Sequence, residues 1–539
     1  MITGIKINNI RNLDFDDYLQ LAPMTILLGK NSSGKSTFLR TFPLIKQTLG
    51  IKRSTPLLWY GNLVDFGSFD DTINKFSSEK TIKIGLEIQN KLPIRLLNLN
   101  KTNIIENNVK ILSEISITKK NEIEFISKIE IIRNNLKFIL NLNEKQELES
   151  IILNETIVDD LNLKYDLLSQ ELIPTEFYTK NSKNEIYNYL KKERFQQKIL
   201  KKIIEILEIE NEKFKEDIYH KISEYTINYF RRNMEDLDPL YRRFSNSQTI
   251  GFFEQNIAFN DDNNFVKKIK KISPKYLNAI QFSPEKIKTL KNLVLMLELP
   301  IMFEHINLEL FHYFNNISYI APLRATAQRY YRIQGLDVEN IDSTGSNLPI
   351  YLKNLNWSNR IEFSKWTEEN FGFKLTLISN TGHISLAIQK GNETINLTDT
   401  GFGFSQILPI LLQVWSQIFN KDARRISWRQ YGLIFLIEQP ELHLHPAMQA
   451  TLIDIFIKAI NLGRRKGINI KFILETHSET IVNRVGRHII EENYKQNDAK
   501  IFIFNNQENK VELQETFYNS DGDIEKWPLG FFGAEDIIL

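Results

Sequence analysis

The stretch at residues 29–37 reads Gly-Lys-Asn-Ser-Ser-Gly-Lys-Ser-Thr and decides the fold that we expect for the chain. It fits the pattern G-x-x-x-x-G-K-[ST], in which backbone N–H groups curl round a polyphosphate, the lysine meets the β- and γ-phosphates and the hydroxyl binds Mg²⁺. An apolar run at 24–28 precedes it and a helical run at 38–42 follows, as the motif requires. The sequence therefore predicts a nucleoside triphosphate site formed by Gly29, Lys30, Asn31, Ser32, Ser33, Gly34, Lys35, Ser36 and Thr37.

Composition limits the classes of protein that this chain can belong to. It has 539 residues, 42% of them hydrophobic, and no cysteine, which excludes disulfides, thiolate zinc sites and iron-sulfur clusters. The formal charge of +2 gives no global argument for nucleic-acid binding, so any such surface must be a local patch. The first residues, Met-Ile-Thr-Gly-Ile-Lys, lack the basic start and apolar core of a signal peptide, and no window has about 18 consecutive apolar residues. We expect a cytoplasmic protein without a membrane partner.

The pattern along the chain predicts an α/β fold, a P-loop head split by a large insertion. Strands are expected near 2–15 and 81–88, antiparallel strands at 96–160, helices at 185–232 and 283–314, and a return to strands at 317–324. The expected domains are an N-terminal lobe at 1–95, an inserted strand-rich and then helical domain at 96–314, and a C-terminal lobe at 315–539.

Two apolar runs that end in acids supply the second half of the site. The run at 432–438 ends in Glu438, which we expect to bind Mg²⁺ together with Ser36, and Gln439 and Glu441 follow it. The run at 470–474 leads into Glu-Thr-His-Ser, where His477 is placed to donate a hydrogen bond to a γ-phosphate. The predicted catalytic residues are Glu438, Gln439, Glu441 and His477.

A glycine-rich turn at 399–406 opens a predicted helix at 407–419. Backbone amides, a serine hydroxyl and a helix N-terminus together form a natural phosphate binder. The turn adds Gly403, Ser405 and Gln406 to the predicted nucleotide site.

Together these motifs resemble the ABC-type ATPases of the OLD-like and SMC-like groups. The set is most similar to the AAA proteins of bacterial anti-phage systems, the Septu ATPase PtuA and its retron-associated relatives. Further matches are the stretches at 63–69, 321–324 and 522–532, so the resemblance covers the two flanking lobes and leaves out 96–310.

The resemblance implies the cofactors, the assembly and the partners. ATP and Mg²⁺ would lie between two heads of a homodimer or higher homo-oligomer, with Lys35 and Ser36 from one subunit and Ser405 from the other. An HNH-type nuclease would be the effector, and in the retron type a reverse transcriptase with its RNA–DNA hybrid would join it. The insertion is the expected place for partner contacts, and direct nucleic-acid binding stays open.

The chain departs from the ABC pattern at Gln439, where a catalytic glutamate is usual. An amide orients water but cannot take its proton, and a general base contributes about 10²- to 10⁴-fold in rate. We expect slow hydrolysis, with Glu438 or Glu441 as the substitute base. The alternatives are a nucleotide-locked scaffold without turnover, an SMC-like DNA-repair ATPase and, less favoured, a transporter subunit.

Several other features favour structural interpretations. The acidic pair at 521–523 fits a turn better than a nuclease site, and His443 and His445 lack the helical spacing of zinc ligands. Basic clusters at 231–232, 242–243, 424–425 and 464–466 are typical of solvated surfaces. They become evidence for phosphate-backbone contact only if the fold gathers several of them on one face. Arg324 and Arg329 are expected near the nucleotide site, either functional or paired with carboxylates.

Overall fold

The structure is a computed structural model, and it describes most of the two ends of the chain and parts of its middle. The described residues are 2–91, 108–133, 136–165, 171–173, 177–178, 198–207, 262–272, 277–297, 299–333, 335–338, 340–420, 428, 431–507 and 510–526.

Strands and helices alternate in the first 80 residues and in the C-terminal half of the chain. Between residues 81 and 178, the regular elements that the structure describes are strands. The strands are β1 Ile2–Asn8, β2 Leu19–Gln20, β3 Met24–Gly29, β4 Thr81–Lys91, β5 Asn108–Lys120, β6 Ile123–Arg133, β7 Leu136–Leu142, β8 Glu147–Leu153, β9 Thr156–Tyr165, β10 Phe177–Tyr178, β11 Ile317–Ile320, β12 Tyr331–Arg332, β13 Lys374–Asn380, β14 His383–Lys390, β15 Glu393–Asn396, β16 Leu433–Glu438, β17 Ile470–Glu475, β18 Ala499–Gln507 and β19 Lys510–Thr516. The helices are α1 Lys35–Thr48, α2 Phe69–Thr72, α3 Asp262–Ile272, α4 Pro284–Met296, α5 Leu299–Asn315, α6 Leu348–Asn354, α7 Trp357–Phe371, α8 Phe402–Val414, α9 Pro446–Arg465 and α10 Glu479–Ile490.

A six-stranded sheet lies at the centre, in the order β11-β16-β17-β3-β18-β19. The first five strands are parallel and β19 is antiparallel. Every residue of β3, β16 and β17 is buried, as expected for parallel strands covered on both faces. Because their carboxyl ends meet at one edge, the loops after these three strands converge there.

Alternate residues of the central strands enter two different hydrophobic cores. On β3, Leu27 joins a core with Phe38 and Phe42 of α1 and with the antiparallel sheet. Ile26 and Leu28 join a second core that contains α8, α9 and α10. The central sheet is therefore covered by a hydrophobic core on each face. Helix α1, which begins within the stretch 29–37, packs in the first of these cores. The predicted α/β class is confirmed.

A nine-stranded antiparallel sheet, β10-β9-β8-β7-β6-β5-β4-β1-β2, forms the second large layer. Strand β4 pairs with β1 on one side and, from Thr81 to Lys91, with β5 on the other. The strands β5–β9 of the predicted insertion therefore belong to the same sheet as β1 and β4 of the predicted N-terminal lobe. The three domain boundaries stay predictions.

The helical expectations have different outcomes. Residues 198–206 are helical, Leu207 lies in a turn, and α4 and α5 occupy most of 283–314. The other residues of 185–232 lie outside the described residues. The predicted start of the helix at 407 is wrong, because α8 already begins at Phe402. Gly401 has φ 79°, a conformation that glycine adopts freely, so the chain turns one residue before Phe402 and the glycine-rich turn becomes the first helical turn.

The α8 segment, continued by a π-helical turn at Trp415–Phe419, is long and apolar enough by length and composition to span a membrane. Among the described residues it is the one such helix, and 72% of it is buried inside the protein. It packs in the second core together with α9 and α10.

Candidate nucleotide site

The loop between β3 and α1 has the backbone geometry of a phosphate cradle. Gly34 caps α1 with φ 99°, and a Cβ atom there would lie 2.8 Å from Cδ2 of Leu13. At Gly29, with φ 153°, a Cβ atom would lie 2.5 Å from the carbonyl oxygen of Phe504. Both positions therefore require glycine, as the motif predicts. Lys30, Asn31 and Ser32 are exposed on the rim of the loop.

Lys35 points back into this loop. Its Nζ donates to the carbonyl oxygens of Gly29 at 3.0 Å and Lys30 at 2.8 Å, and the residue is only 3% exposed. Burial lowers the pKa of Lys35, while the carboxylates of Glu475 and Glu441 oppose that change. The ammonium group of Lys35 is thus held by the carbonyl oxygens of its own loop, and its contact with phosphate stays a prediction.

Two carboxylates stand side by side at the sheet edge. Glu438 and Glu475 end β16 and β17, are register partners, and are 1% and 3% exposed. The Ser36 hydroxyl donates to Oε1 of Glu475 at 2.7 Å. Burial, reinforced by the nearby Glu438, raises the pKa of Glu475 to about 7. The phosphate loop thus contacts Glu475 at the end of β17, beside Glu438 at the end of β16. That Ser36 and Glu438 bind Mg²⁺ together stays a prediction.

Glu438 is held by partners from two other elements. Arg40, one helical turn after Ser36 on α1, donates from Nε and from a terminal nitrogen, each at 2.7 Å. The Tyr319 hydroxyl of β11 donates to Oε1 at 2.7 Å. The hydrogen bonds to Glu438 raise the pKa of Arg40, so this guanidinium stays charged. Sequence reasoning missed both partners, although the spacing of four residues between Ser36 and Arg40 places them on one face of the helix.

The loop after β16 brings the remaining predicted catalytic residues together. Gln439 has φ 43°, and its N–H donates to the carbonyl of Glu475 at 2.8 Å. Glu441 accepts at 2.8 Å both from the Thr476 hydroxyl and from the N–H of His477. Burial raises the pKa of Glu441. Its carboxylate is thereby fixed beside the loop that follows β17.

The imidazole of His477 is exposed at the mouth of the site. Partial desolvation of the ring and the Lys35 cation both lower the pKa of His477. Because an unperturbed histidine has a pKa near 6.5, this ring is neutral at pH 7 and can donate one hydrogen bond.

Arg324 links the acidic loop to the glycine-rich turn. A terminal nitrogen donates to the carbonyls of Glu438 at 2.7 Å and Gln439 at 3.2 Å, and the Arg324 carbonyl accepts from Gln406 at 3.3 Å. Arg324 thus lies in the site, as expected. Arg329 instead pairs with Asp399 at 2.6 Å on the surface, which is the structural alternative.

The glycine-rich turn itself faces outward through its first residues. The Ser405 hydroxyl donates to the carbonyl of Phe402 at 2.8 Å and the residue is buried. Phe402 is 63% exposed, with its ring 5.9 Å from that of His443. A Cβ atom on Gly403 would lie 3.0 Å from the His443 carbonyl, so this turn packs closely on the acidic loop.

Structural contacts explain His445, the acidic pair at 521–523 and Arg464. His445 caps α9, its Nδ1 accepting from Ala447 N–H at 3.2 Å. Asn519 accepts from the N–H groups of Asp521 and Asp523 at 3.0 and 2.9 Å, so the acidic pair forms a turn. Arg464 pairs with Asp498 at 2.6 Å, whereas the pairs at 231–232, 242–243 and 424–425 lie outside the described residues.

Comparison with protein families gives a match over most of the chain. The family described as AAA ATPase domain matches residues 1–482. Among curated proteins, the trigger factors of Buchnera aphidicola subsp. Acyrthosiphon pisum strains Tuc7 and 5A are each 28% identical over 176 residues. That alignment covers 30% of this chain and only 38% of the trigger factor.

Solved structures with similar chain traces include two SMC heads and a recombination protein. The SMC head bound to the C-winged helix domain of ScpA is 10% identical with a TM-score of 0.33, covering 95% of this chain and 97% of that one. The SMC head domain of Thermotoga maritima is 8% identical with a TM-score of 0.32. The recombination mediator protein RecF is 11% identical with a TM-score of 0.29. Each of these two alignments covers 95% of this chain and 98% of the other chain. These TM-scores are too low to define a shared fold.

Proposed function

The chain belongs to the AAA ATPase domain family, and from that membership we propose that it is a slow ATPase whose nucleotide state controls its assembly and a partner effector. ATP binding and hydrolysis follow from the family. The slow rate, the assembly and the effector are the parts that we add.

One observation carries the proposal: the phosphate loop is hydrogen bonded to the acidic edge of the sheet. Ser36 contacts Glu475, and Glu475 is joined through its carbonyl to the N–H of Gln439. The carboxylates of Glu475 and Glu441 also act on the pKa of Lys35, which directly precedes Ser36. The loop proposed to bind phosphate and the residue proposed to position water are therefore connected by two hydrogen bonds through Glu475.

The donor set fits ATP with Mg²⁺. Oε2 of Glu475 is buried without a hydrogen-bond partner, and carboxylate and hydroxyl oxygens are the ligands that Mg²⁺ prefers. When bound, Mg²⁺ would supply positive charge to the transferred phosphoryl group. Lys35 would hold the β- and γ-phosphates, and Ser36 would face the metal with an acid from the strand ends.

The water-positioning role falls to Gln439 and Glu441. Gln439 orients water through its amide but cannot accept the proton, which is why we propose slow turnover. Glu441 is the candidate base, because burial raises its pKa and it is fixed by Thr476 and His477. His477 would donate to the γ-phosphate and report its presence.

We infer a homodimer or higher homo-oligomer in which the turn at 399–406 of one subunit faces the nucleotide of another. The exposure of Phe402 supports an outward-facing turn. By resemblance of the motifs, the effector is an HNH-type nuclease in cytoplasmic anti-phage defence of the Septu or retron type. In the retron type, a reverse transcriptase with an RNA–DNA hybrid is a further partner. The alternative is an SMC-like DNA-repair ATPase.

A second candidate, a nucleotide-locked scaffold without turnover, is favoured by one specific observation. Glu438, the last residue of β16, is neutralised by Arg40, and Gln439 is not a base, so neither of these two residues is free to take a proton. In this case ATP binding alone would hold the assembly together.

The test is ATP turnover together with size-exclusion mass, on the wild type and on Lys35→Ala, Gln439→Glu and Glu438→Gln. Slow wild-type turnover that Gln439→Glu accelerates, with loss of nucleotide binding in Lys35→Ala, supports the ATPase switch. ATP-dependent assembly without turnover in any variant selects the scaffold. Absence of nucleotide binding by the wild type would refute both.

A further inference from the structure

A cavity of about 310 Å³ lies beside the first turns of α8. Of the described residues that line it, none belongs to the loop at 29–37 or to the acidic strand ends. The segment 325–332, the loop at 345–350 and one face of α8 contribute most of the lining. Its volume is at the lower end of the range of about 300–1,000 Å³ that small-molecule sites occupy. The cavity therefore has the size of a site for one small molecule.

One wall of the cavity is a face of α8. Ser405, Leu408 and Pro409 line it, and their spacing of three and four residues puts them on one side of the helix. The loop at 345–350 lies directly against this wall, since a Cβ atom on Gly345 would lie 2.7 Å from Cβ of Pro409. This side of the cavity is closed by close packing.

Strand β12 brings two hydrogen-bond donors to the cavity, because Tyr331 and Arg332 both line it. The Tyr331 hydroxyl accepts from the N–H of Gln328 at 2.8 Å, and no described residue accepts its own proton. Burial raises the pKa of Tyr331, so the hydroxyl stays protonated. Arg332 is exposed and makes no ion pair with any residue that the structure describes. A hydroxyl and a guanidinium are thus both available to a ligand.

The charge of the lining decides which ligand fits. Arg332 is the one charged residue among the described residues around the cavity, and no carboxylate accompanies it there. Leucines 386, 397 and 408 supply apolar surface in the interior. A cation and a hydroxyl donor beside an apolar interior complement a molecule that has an apolar ring and one anionic group.

We propose that this cavity binds a small organic anion with an apolar ring system, and that the bound anion is an effector of the ATPase. The effector role rests on the function proposed above, whereas the binding site itself does not. The anionic group lies toward Arg332 and Tyr331, and the ring lies against the leucines and α8.

Two hydrogen bonds connect the cavity walls to the acidic loop. Arg324 directly precedes the wall segment 325–332, and a terminal nitrogen of its guanidinium donates to the carbonyl of Glu438 at 2.7 Å. Gln406 directly follows Ser405 in the other wall and donates to the Arg324 carbonyl at 3.3 Å. An anion that contacts both walls therefore holds α8 and the acidic loop in the observed arrangement, in which the glycine-rich turn faces outward. Binding of the anion should favour the ATP-dependent assembly.

The first experiment measures binding to the purified protein by fluorine NMR. The probe is a fluorinated naphthoate, and the matching fluorinated naphthalene alcohol is the neutral control. Arg332→Gln removes the cation, and Thr326→Trp places a large ring at an exposed position of the cavity lining. Arg465→Gln on α9 is the matched control, because Arg465 is also exposed and makes no ion pair with a described residue. Circular dichroism and the melting temperature confirm that each variant is folded.

We expect the wild type to bind the naphthoate with a dissociation constant of about 1 mM or below, as the affinity per atom of small ligands gives for a probe of this size. Arg332→Gln should weaken binding about tenfold, as the loss of one hydrogen bond to a charged group does. Thr326→Trp should abolish binding and Arg465→Gln should leave it unchanged. No binding by the wild type, or a constant that neither Arg332→Gln nor Thr326→Trp changes, would overturn the site. Equal affinity for the alcohol would overturn the assignment to an anion.

The second experiment tests the effector role. Light scattering gives the ATP concentration at half-maximal assembly with and without saturating naphthoate. We expect the naphthoate to lower that concentration about fivefold, the lower end of usual coupling between two sites, and to have no effect on Thr326→Trp. An unchanged or higher concentration in the wild type would overturn the effector role. A wild type that does not assemble with ATP refutes the proposed function and the effector role together, and the NMR titration still decides whether the cavity binds the anion.

Discussion

Arg40 binds the carboxylate of Glu438 through two hydrogen bonds of 2.7 Å. This contact joins α1, the helix after the phosphate loop, to the end of β16, and the two residues are 398 positions apart in the sequence. Glu438 is almost fully buried, whereas the Arg40 side chain is 33% exposed. Together with the hydrogen bond from Ser36 to Glu475, this pair joins the two halves of the site.

Arg40→Met tests that link, since it leaves a buried carboxylate without its cation. We expect the free energy of unfolding to fall by about 2 kcal/mol, less than for a fully buried pair because Arg40 is partly in solvent. Urea denaturation gives the value. The double variant Arg40→Met with Glu438→Gln should recover at least about 0.5 kcal/mol of the summed loss, as coupled neighbours do. Strict additivity would show that the pair does not stabilise the fold.

Gln439→Glu supplies the missing general base. We expect the ATP turnover rate to rise by about 10²-fold, the lower end of what a positioned base contributes. A phosphate-release assay measures it, with Gln439→Ala as the control that removes both the amide and any base. An unchanged rate in Gln439→Glu would assign the base to Glu441 instead.

Gly34→Ala places a Cβ atom 2.8 Å from Leu13 and forces alanine to φ +99°. We expect a loss of about 2–4 kcal/mol in unfolding free energy, from backbone strain together with overpacking, and loss of nucleotide binding. Gly382→Ala is the matched control, since φ there is +82° with no atom within 4 Å of the added Cβ. It should cost only about 1 kcal/mol of strain. Equal costs at both positions would contradict the steric argument.

Asp454 gives the chain an acid-sensitive contribution to stability. Burial tends to raise its pKa, but the hydrogen bonds from His488 and Arg484 prevail and lower the pKa of Asp454 to about 2, from 3.8. A carboxyl group whose pKa is lower in the folded than in the unfolded protein stabilises the fold at pH values above its unfolded pKa. This contribution is lost as the pH falls from about 4 to about 2.

Asp454→Asn should therefore lower the unfolding free energy by about 2 kcal/mol at pH 6, with a difference that shrinks to near zero by about pH 2. Chemical denaturation of both proteins across that range measures it. A difference that is independent of pH would mean that the side chain acts through packing alone.

Phe402→Asp tests the outward-facing turn. Because Phe402 is 63% exposed at the start of α8, a charge there should leave the melting temperature unchanged and abolish ATP-dependent assembly. Light scattering with and without ATP measures the assembly. Trp357→Asp is the control, since Trp357 is 73% exposed on another helix. If both variants assemble like the wild type, the turn is not part of the interface.

Sequence alone determined the parts of this protein that local chemistry fixes. The glycines of the loop, Lys35 and Ser36 follow a fixed spacing, because the phosphate cradle is built within one short loop. The buried runs that end in Glu438 and before Glu475 were equally readable, since parallel strands covered on both faces are apolar throughout. The α/β class and the convergence of these strand ends follow from the same patterns.

Tertiary structure alone decided how the acids are divided between partners. Arg40 and Tyr319 reach Glu438, and Ser36 reaches Glu475, across separations of 119 to 439 residues. No local periodicity encodes such contacts, because they depend on which strands become neighbours in the sheet. The order β16-β17-β3 puts Glu475 next to the phosphate loop, and the described helices and strands fix that order by packing into two cores.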